Sequence, residues 1–558
     1  MSNTEVLATF FGDESFPIEW DSEEEKQLFW WYDDLHCPQP ISPMWFDVGG
    51  WWYTCAYMYR RFGLPFGKDW VAKKINGYVY TAVVPRDPEE AGRLAPYFNM
   101  VLPVYAQNFM EWWNERLLPE VLKNFEYLDN YPYDEATIPE LMILLEDALD
   151  IQERHFRLHW QLNLAQFAAF MNFEAVAKEV TGKEDLDVGD ILMSVDDRNW
   201  DSVRGLCALR DKVAADPALR RAFERETGRE ILQALQESPE GRAFLENDVA
   251  DYQAEFGYRA MYTHEYIVPT WVEDATPVIE TVKGYLESNY DVEAELQKTV
   301  ERRNKATEAL FAMVTDEEAR AKLQEALEMA QKMAPLTPNH HFYFDQGTYA
   351  RLRLVFLAIG RKLVEEGVLE AADDPIFLTY DELRQLTADF DAFDAKALVK
   401  QRRAEREAAF QIRPREWVGT ATHWAIYEEP YSNLWGYPEK FERLQEEGEA
   451  PKDVVRGLAA SPGVAEGVAR YVATPAEFDQ VKPGDILVCK MTNPAWVVVF
   501  TKIKGLVTDT GGVLSHPAIV SREFGIPAVV GTMDATHRIK SGQRVRVNGS
   551  TGVVEILS

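Results

Sequence analysis

The chain changes its hydrophobic rhythm near Gln445, and that change constrains its fold more than any other feature. Before it, apolar residues recur every three or four positions with charges between them, as in residues 139–173 (PELMILLEDALDIQERHFRLHWQLNLAQFAAFMNF) and 292–333. That spacing lines one face of an amphipathic helix. After it, short β-branched runs at 468–473, 485–489, 505–508, 528–530, 544–547 and 552–557 alternate with Gly and Pro turns. Runs of this kind read as strands of a small mixed domain. The polar stretch EEGEAPKD between the two textures reads as a linker. A chain of 558 residues is also long for one core. The predicted architecture is multidomain: a large, mainly α-helical domain over 1–445, with room for two subdomains, a linker at 446–453, and a small α/β domain at 454–558.

Within the second domain, Thr508–Gly531 reads TDTGGVLSHPAIVSREFGIPAVVG. A buried strand (GLVT) runs into the glycine pair Gly511-Gly512, then to Ser515-His516-Pro517, then to a helix (AIVSREF) closed by Gly525. Pro517 suits the first helical position, where its missing N–H is no loss. His516 is then expected just before a helix N-terminus, where unpaired N–H groups and the positive dipole end favour an anion. The glycines allow close backbone approach and Ser515 offers a hydroxyl, so a phosphoryl group on the imidazole would be well received.

The pattern GG-x-x-S-H-x-A-I-V-x-R-E-x-G-I-P-A-V-V-G resembles the phosphohistidine signature of the phosphoenolpyruvate-utilising enzymes. That group includes phosphoenolpyruvate synthase, pyruvate phosphate dikinase, rifampin phosphotransferase and phenylphosphate synthase. AASPGVAEG at 459–467 and TNPAW at 492–496 resemble the opening turn and middle loop of the same swivelling domain, so the resemblance covers 454–558. It departs at Leu514, often Thr, and at Pro517, usually Ala. The resemblance implies that His516 is the phosphoacceptor, with Gly511, Gly512 and Ser515 at the phosphate. No nucleotide-binding glycine pattern is read in the first domain, and no phosphoenolpyruvate-binding barrel is expected after Ser558.

Two further segments resemble rifampin phosphotransferase-like and phenylphosphate synthase-like proteins: WWYDDLHCPQPISP at 30–43, near the start of their acceptor-binding domain, and residues 339–383, the helix that returns toward the mobile domain. The resemblance implies an acceptor-binding domain fused to its phosphohistidine carrier. A separate ATP-grasp-type subunit would charge that carrier, as in the split phenol- and cresol-phosphorylating enzymes. ATP and Mg2+ would act through that partner, with release of AMP and phosphate and no tightly bound cofactor. The expected acceptor is a small phenol or alkylphenol such as 4-cresol. A rifamycin-type acceptor and a non-catalytic phosphocarrier or regulatory protein are the alternatives.

Phosphoryl transfer needs cations around the phosphoryl oxygens and a group to manage the hydroxyl proton. Arg351 and Arg353 are the candidate phosphate-binding cations, and His155, His159, His340 and His341 the candidate acceptor-side catalytic groups, since imidazole titrates near neutrality. Trp30, Trp31, His36 and Asp345 are candidates to bind the acceptor, and Asp345 or Glu153 could assist a histidine. His155 and His159 share a helix face but lack an HExxH signature, so no metal is expected there.

Net charge completes the exclusions. With 58 basic against 92 acidic residues the chain carries −34, which disfavours long-range attraction to nucleic acid or anionic membrane. The four widely spaced cysteines show no CxxC pairing, and neither an export signal nor a membrane span is read, so a cytoplasmic location is expected.

Overall fold

The computed structural model describes the chain apart from residues 1–4, 184–185, 187, 261, 263, 429–437, 439, 443–452, 474, 493–495, 501, 513–514 and 558. The side chains of 475–476, 479, 497–498, 516, 519 and 523 also lie outside the described set. Two compact units emerge: one comprises 1–194, 263–268 and 303–425, the other 195–262, 269–302 and 426–558. This differs from the single break expected near Gln445. The chain leaves the first unit at residue 194 to build helices that pack with the C-terminal domain, and periodicity cannot reveal which helices share a core.

The first unit is not wholly helical. It holds a five-stranded antiparallel sheet of β1 (Val6–Phe10), β2 (Phe29–Tyr32), β3 (Gly67–Ile75), β4 (Tyr78–Pro85) and β5 (Trp417–Thr422), in the order β1-β5-β2-β4-β3. β3 and β4 form a hairpin whose turn is Asn76-Gly77, both at positive φ (50° and 89°), a left-handed pair that Asn-Gly adopts more readily than other residues. Alternation sorts β2 by face. Trp30 and Tyr32 enter a core with Phe16, Tyr78 and Tyr80, while Trp31 meets Trp70 at a ring separation of 5.6 Å.

Against this sheet region lies the 44-residue helix Ile138–Thr181, started by a Thr137/Glu140 capping box and stopped at Gly182 in the left-handed conformation. A second long helical run joins Leu336–His340, His341–Thr348 and Tyr349–Glu365. Its middle piece is a widened, π-type stretch, which changes the facing of the side chains that follow.

In the second unit, 454–558 forms an eight-stranded sheet of β6 (Val454–Arg456), β7 (Leu458–Ser461), β8 (Val464–Tyr471), β9 (Ile486–Cys489), β10 (Gly505–Thr508), β11 (Ala528–Val530), β12 (Arg544–Asn548) and β13 (Val553–Ile556). β8, β9, β10 and β11 run parallel, with antiparallel strands on both flanks. Val455, Ile486, Val488, Val507, Val529, Val545 and Val547 share the core. The small α/β domain expected at the C-terminus is present. Cys37, Cys55, Cys207 and Cys489 are buried free thiols. No helix among the described residues is long and apolar enough to cross a membrane.

Candidate functional site

Two sites stand out, one in each unit. In the C-terminal domain, the crossover from β10 to its parallel neighbour β11 is the helix His516–Glu523. His516 is therefore fixed at the carboxyl end of a central parallel strand, where open α/β sheets place their ligands. It is the first helical residue, with Ser515 as N-cap and Pro517 second, one place later than the sequence suggests. Ser515 does not cap: its hydroxyl donates to the Gly512 carbonyl at 2.7 Å and makes no bond to the helix N–H groups. Gly511 has φ +107°, and a Cβ there would stand 2.6 Å from Ser515 Oγ. Behind the loop, buried Asp509 accepts from Thr536 N (2.9 Å) and Thr536 Oγ1 (2.5 Å), tying the strand end to the chain after β11. The imidazole of His516 and residue Leu514 lie outside the described set.

In the first unit, five histidines gather round one buried carboxylate. Asp345 is 2% exposed. His341 Nδ1 lies 2.5 Å from its Oδ2, one turn away on the widened helix. Around it stand His340 Nε2 at 3.7 Å from Oδ2, and His159 Nε2 and His264 Nε2 at 3.8 and 3.9 Å from Oδ1. His36 continues the group, its ring 5.2 Å from that of His264 and its Nδ1 2.8 Å from Asp33 Oδ1. Aromatic rings wall the cluster: Trp51 against His36 (5.4 Å), Trp160 against His159 (5.0 Å), Trp45 and Tyr349 against His264 (6.2 and 5.7 Å).

Burial works against charging Asp345, but the charge and hydrogen bond of His341, with His159 and His264 behind it, outweigh burial and hold its carboxyl well below the usual range. Desolvation leads the other way at the imidazoles. His159 is pushed down to about 4 and His264 to about 3, with Asp345 opposing in both cases. His36 is raised, because Asp33 and Asp345 overcome its burial. Several polar atoms here are buried without a hydrogen-bond partner: Asp345 Oδ1, both amide atoms of Gln346, and the indole nitrogens of Trp45 and Trp51. Buried polar atoms are seldom left so in the absence of a ligand or water.

Of the residues singled out in the sequence, the structure gathers His36, His159, His340, His341 and Asp345. Trp31 stands one ring behind the wall, through Trp70 to Trp51 (5.6 and 4.8 Å). The others serve the scaffold. His155 has one ring nitrogen 2.9 Å from Thr348 Oγ1 and the other 3.1 Å from Asn124 Nδ2, which leaves neither for a substrate proton. Arg351 grips Asp129 with two bonds of 2.7 Å, donates to Gly347 O and lies 3.8 Å over Phe125. Arg353 donates to the carbonyls of Tyr266 and Ile267. These engagements correct the phosphate-binding expectation for both arginines. Trp30 is a core residue donating to Glu25 O at 2.8 Å, and Glu153 pairs with Arg157.

His264 went unnoticed in the sequence. It lies on a strap fastened at three points: Glu265 accepts from Ser42 N (2.6 Å) and Ser42 Oγ (2.5 Å), Tyr266 OH donates to Gln152 (2.7 Å), and Arg353 holds the Tyr266 carbonyl. Ser42 and Glu265 are 223 residues apart, and no local pattern announces such a contact.

Known proteins share both regions. The family described as PEP-utilising enzyme, mobile domain, matches residues 481–552, and the rifampicin phosphotransferase fourth domain matches 159–337. An uncharacterized phosphotransferase, YvkC, of Bacillus subtilis is 28% identical over 96% of this chain and 63% of its own length. A rifampicin phosphotransferase of Bacillus cereus is 36% identical over 38% of this chain and 22% of its own. A probable phosphoenolpyruvate synthase of Staphylothermus marinus is 55% identical over 18% of this chain and 13% of its own. The chain thus spans less than two thirds of each of these relatives. Through its C-terminal domain the chain is similar to the phosphoenolpyruvate-utilising enzymes, and through its helical region to the rifampicin phosphotransferases.

Proposed function

We propose that this protein is the acceptor-binding and carrier component of an ATP-dependent phosphotransferase. The phosphoryl group travels on His516 and passes to the hydroxyl of a small aromatic acceptor, a phenol or alkylphenol such as 4-cresol, held among His36, His159, His264 and Asp345. In the transfer the hydroxyl oxygen bonds to phosphorus, the phosphorus–nitrogen bond to His516 breaks with its electron pair staying on the imidazole, and the hydroxyl proton leaves to a base or solvent. A separate ATP-binding subunit charges His516 and releases AMP and phosphate, as in the split enzymes that the sequence resembles.

One observation carries the acceptor reading: a buried, ionised carboxylate with an unbonded oxygen, ringed by imidazoles and walled by tryptophans. Flat apolar walls with few polar groups suit an aromatic hydroxyl compound. A rifamycin-type acceptor is the second reading, favoured by the relatives named rifampicin phosphotransferase. Incubation with the ATP-binding partner, ATP and Mg2+ against phenol, 4-cresol and rifampicin, with product read by mass spectrometry, separates them. An aryl monophosphate supports the first reading, a phosphorylated rifamycin the second, and protein labelling without either product removes both.

A further inference from the structure

Two acceptor atoms face each other in the centre of the first unit. His340 Nδ1 lies 3.2 Å from the Leu336 carbonyl one turn back, and a carbonyl only accepts, so Nδ1 carries the proton. Nε2 is then a bare lone pair, and it points across 3.7 Å to Asp345 Oδ2, a carboxylate oxygen. Two lone pairs buried against each other attract nothing unless a cation lies between them.

A third donor completes the arrangement. One ligand atom each from His159, His340 and Asp345 lies within 4.8 Å of the others, and all three residues are buried. Asp345 Oδ1, buried and without a hydrogen-bond partner, is on the His159 side, 3.8 Å from His159 Nε2. The outer contacts are those of a metal centre: His340 anchored through its far nitrogen to a backbone carbonyl, and Asp345 Oδ2 held by His341 at 2.5 Å.

We propose that His159, His340 and Asp345 form a binding site for a single divalent transition-metal cation of the zinc or cobalt type. Two imidazole nitrogens and one carboxylate oxygen are the donor set of an open zinc site, which keeps its fourth position for an oxygen ligand. Metal–nitrogen bonds of about 2.0–2.1 Å place tetrahedral ligands about 3.3 Å apart, so the cation draws these side chains inward by about 0.4 Å or more. Asn163 Nδ2, now 3.1 Å from His159 Nε2, turns aside as it does so. Two neutral imidazoles and one carboxylate leave a divalent ion with a net charge of +1, which suits an aryloxide in the open position. The site stands on geometry alone. Only its use, gripping the acceptor oxygen, rests on the acceptor reading above, and metal binding is measured without it.

The test is cobalt titration of the untagged, chelator-stripped full chain, followed by calorimetry and visible absorption. The expected result is one Co2+ per chain with the ligand-field bands of a four-coordinate ion, displaced by Zn2+. His340→Ala and Asp345→Asn should each weaken binding at least tenfold, while His537→Ala in the other unit leaves it unchanged. His340→Cys should restore binding with a new thiolate-to-cobalt charge-transfer band, a signal that a merely structural histidine cannot give. Absent ligand-field bands, or equal affinity in the His340→Ala and Asp345→Asn chains, would overturn the site.

Discussion

His341 Nδ1 lies 2.5 Å from Asp345 Oδ2, and this contact within one turn of a widened helix organises the polar centre of the first unit. A regular helix also brings residues four apart together, but here the turn carries Gln346 and Thr348 inward as well, both buried. Asp345 is thereby the anion that His159, His264, His340 and His341 contact directly, with His36 one ring farther out beside His264. Replacing it by Asn, nearly the same size without the charge, should slow transfer to the acceptor by about a hundredfold or more. Labelling of His516 by ATP and partner should stay normal, because on the proposed reading the two half-reactions would use different residues. Equal loss of both half-reactions would show that Asp345 supports the fold alone.

His155 offers a stability test. Burial, reinforced by the charges of Arg351 and Arg154, pushes its pKa down from 6.5 to about 3. The folded chain keeps it neutral while the unfolded chain protonates it below pH 6.5. The unfolded state therefore binds the extra proton, and stability falls as pH drops from 6.5 toward 3. One such group contributes a slope of about 1.4 kcal/mol per pH unit over that range. Denaturant unfolding from pH 7 to 5 should show a shallower fall for His155→Asn than for the parent chain, at the cost of lower stability at pH 7. Parallel curves would mean that His155 titrates alike in both states.

At the carrier loop, Gly511→Ala introduces a Cβ at a position with φ +107° and 2.6 Å from Ser515 Oγ. Neither the backbone nor the loop has room for it. We expect phosphorylation of His516 to fall at least tenfold while Tm changes by only a few degrees, since the loop lies at a strand end outside the core. Normal labelling kinetics in this variant would contradict the assigned loop geometry.

Some of this was legible in the sequence and some was not. Strand and helix order around His516 follow from local signals, namely β-branched runs, paired glycines and a proline near a helix start; the order is as expected, with the helix beginning at His516, one residue earlier than those signals suggest. The Asn76-Gly77 turn is a local hairpin signal of the same kind, flanked by the β-branched and aromatic residues of β3 and β4. His341 and Asp345 could be paired by their spacing, but His264 and His36 could not. They meet through segments more than 200 residues apart, fixed by Ser42–Glu265. An arginine on a helix looks the same in sequence whether it faces phosphate or, as here, a neighbouring carboxylate for Arg351 (Asp129) and backbone carbonyls for Arg353.

The C-terminal domain has a docking contact inside its own unit. Phe524, at the end of the His516 helix, stacks on Tyr290 (5.8 Å, 19°), and Arg302 donates to the Arg522 carbonyl at 2.6 Å. A carrier that serves two sites must leave one to reach the other. The expected pivots are the linker, of which 446–452 lies outside the described residues, and the Pro462-Gly463 turn. A cross-link between cysteines at Tyr290 and Phe524 should therefore preserve one half-reaction and block the other, with reduction of the link restoring both. Full turnover of the linked chain would refute the swinging carrier.

The central claim, that His516 hands its phosphoryl group to an acceptor hydroxyl, is tested most directly by a chase. The protein is charged with ATP labelled in its β-phosphate and the ATP-binding partner, freed of nucleotide, and mixed with 4-cresol while label on His516 and in aryl phosphate is followed. We expect an acid-labile, alkali-stable adduct absent from His516→Ala, and transfer of its label to cresyl phosphate without added ATP. Label that persists in His516→Ala, or that leaves His516 only as inorganic phosphate for every hydroxylated acceptor supplied, would contradict the account.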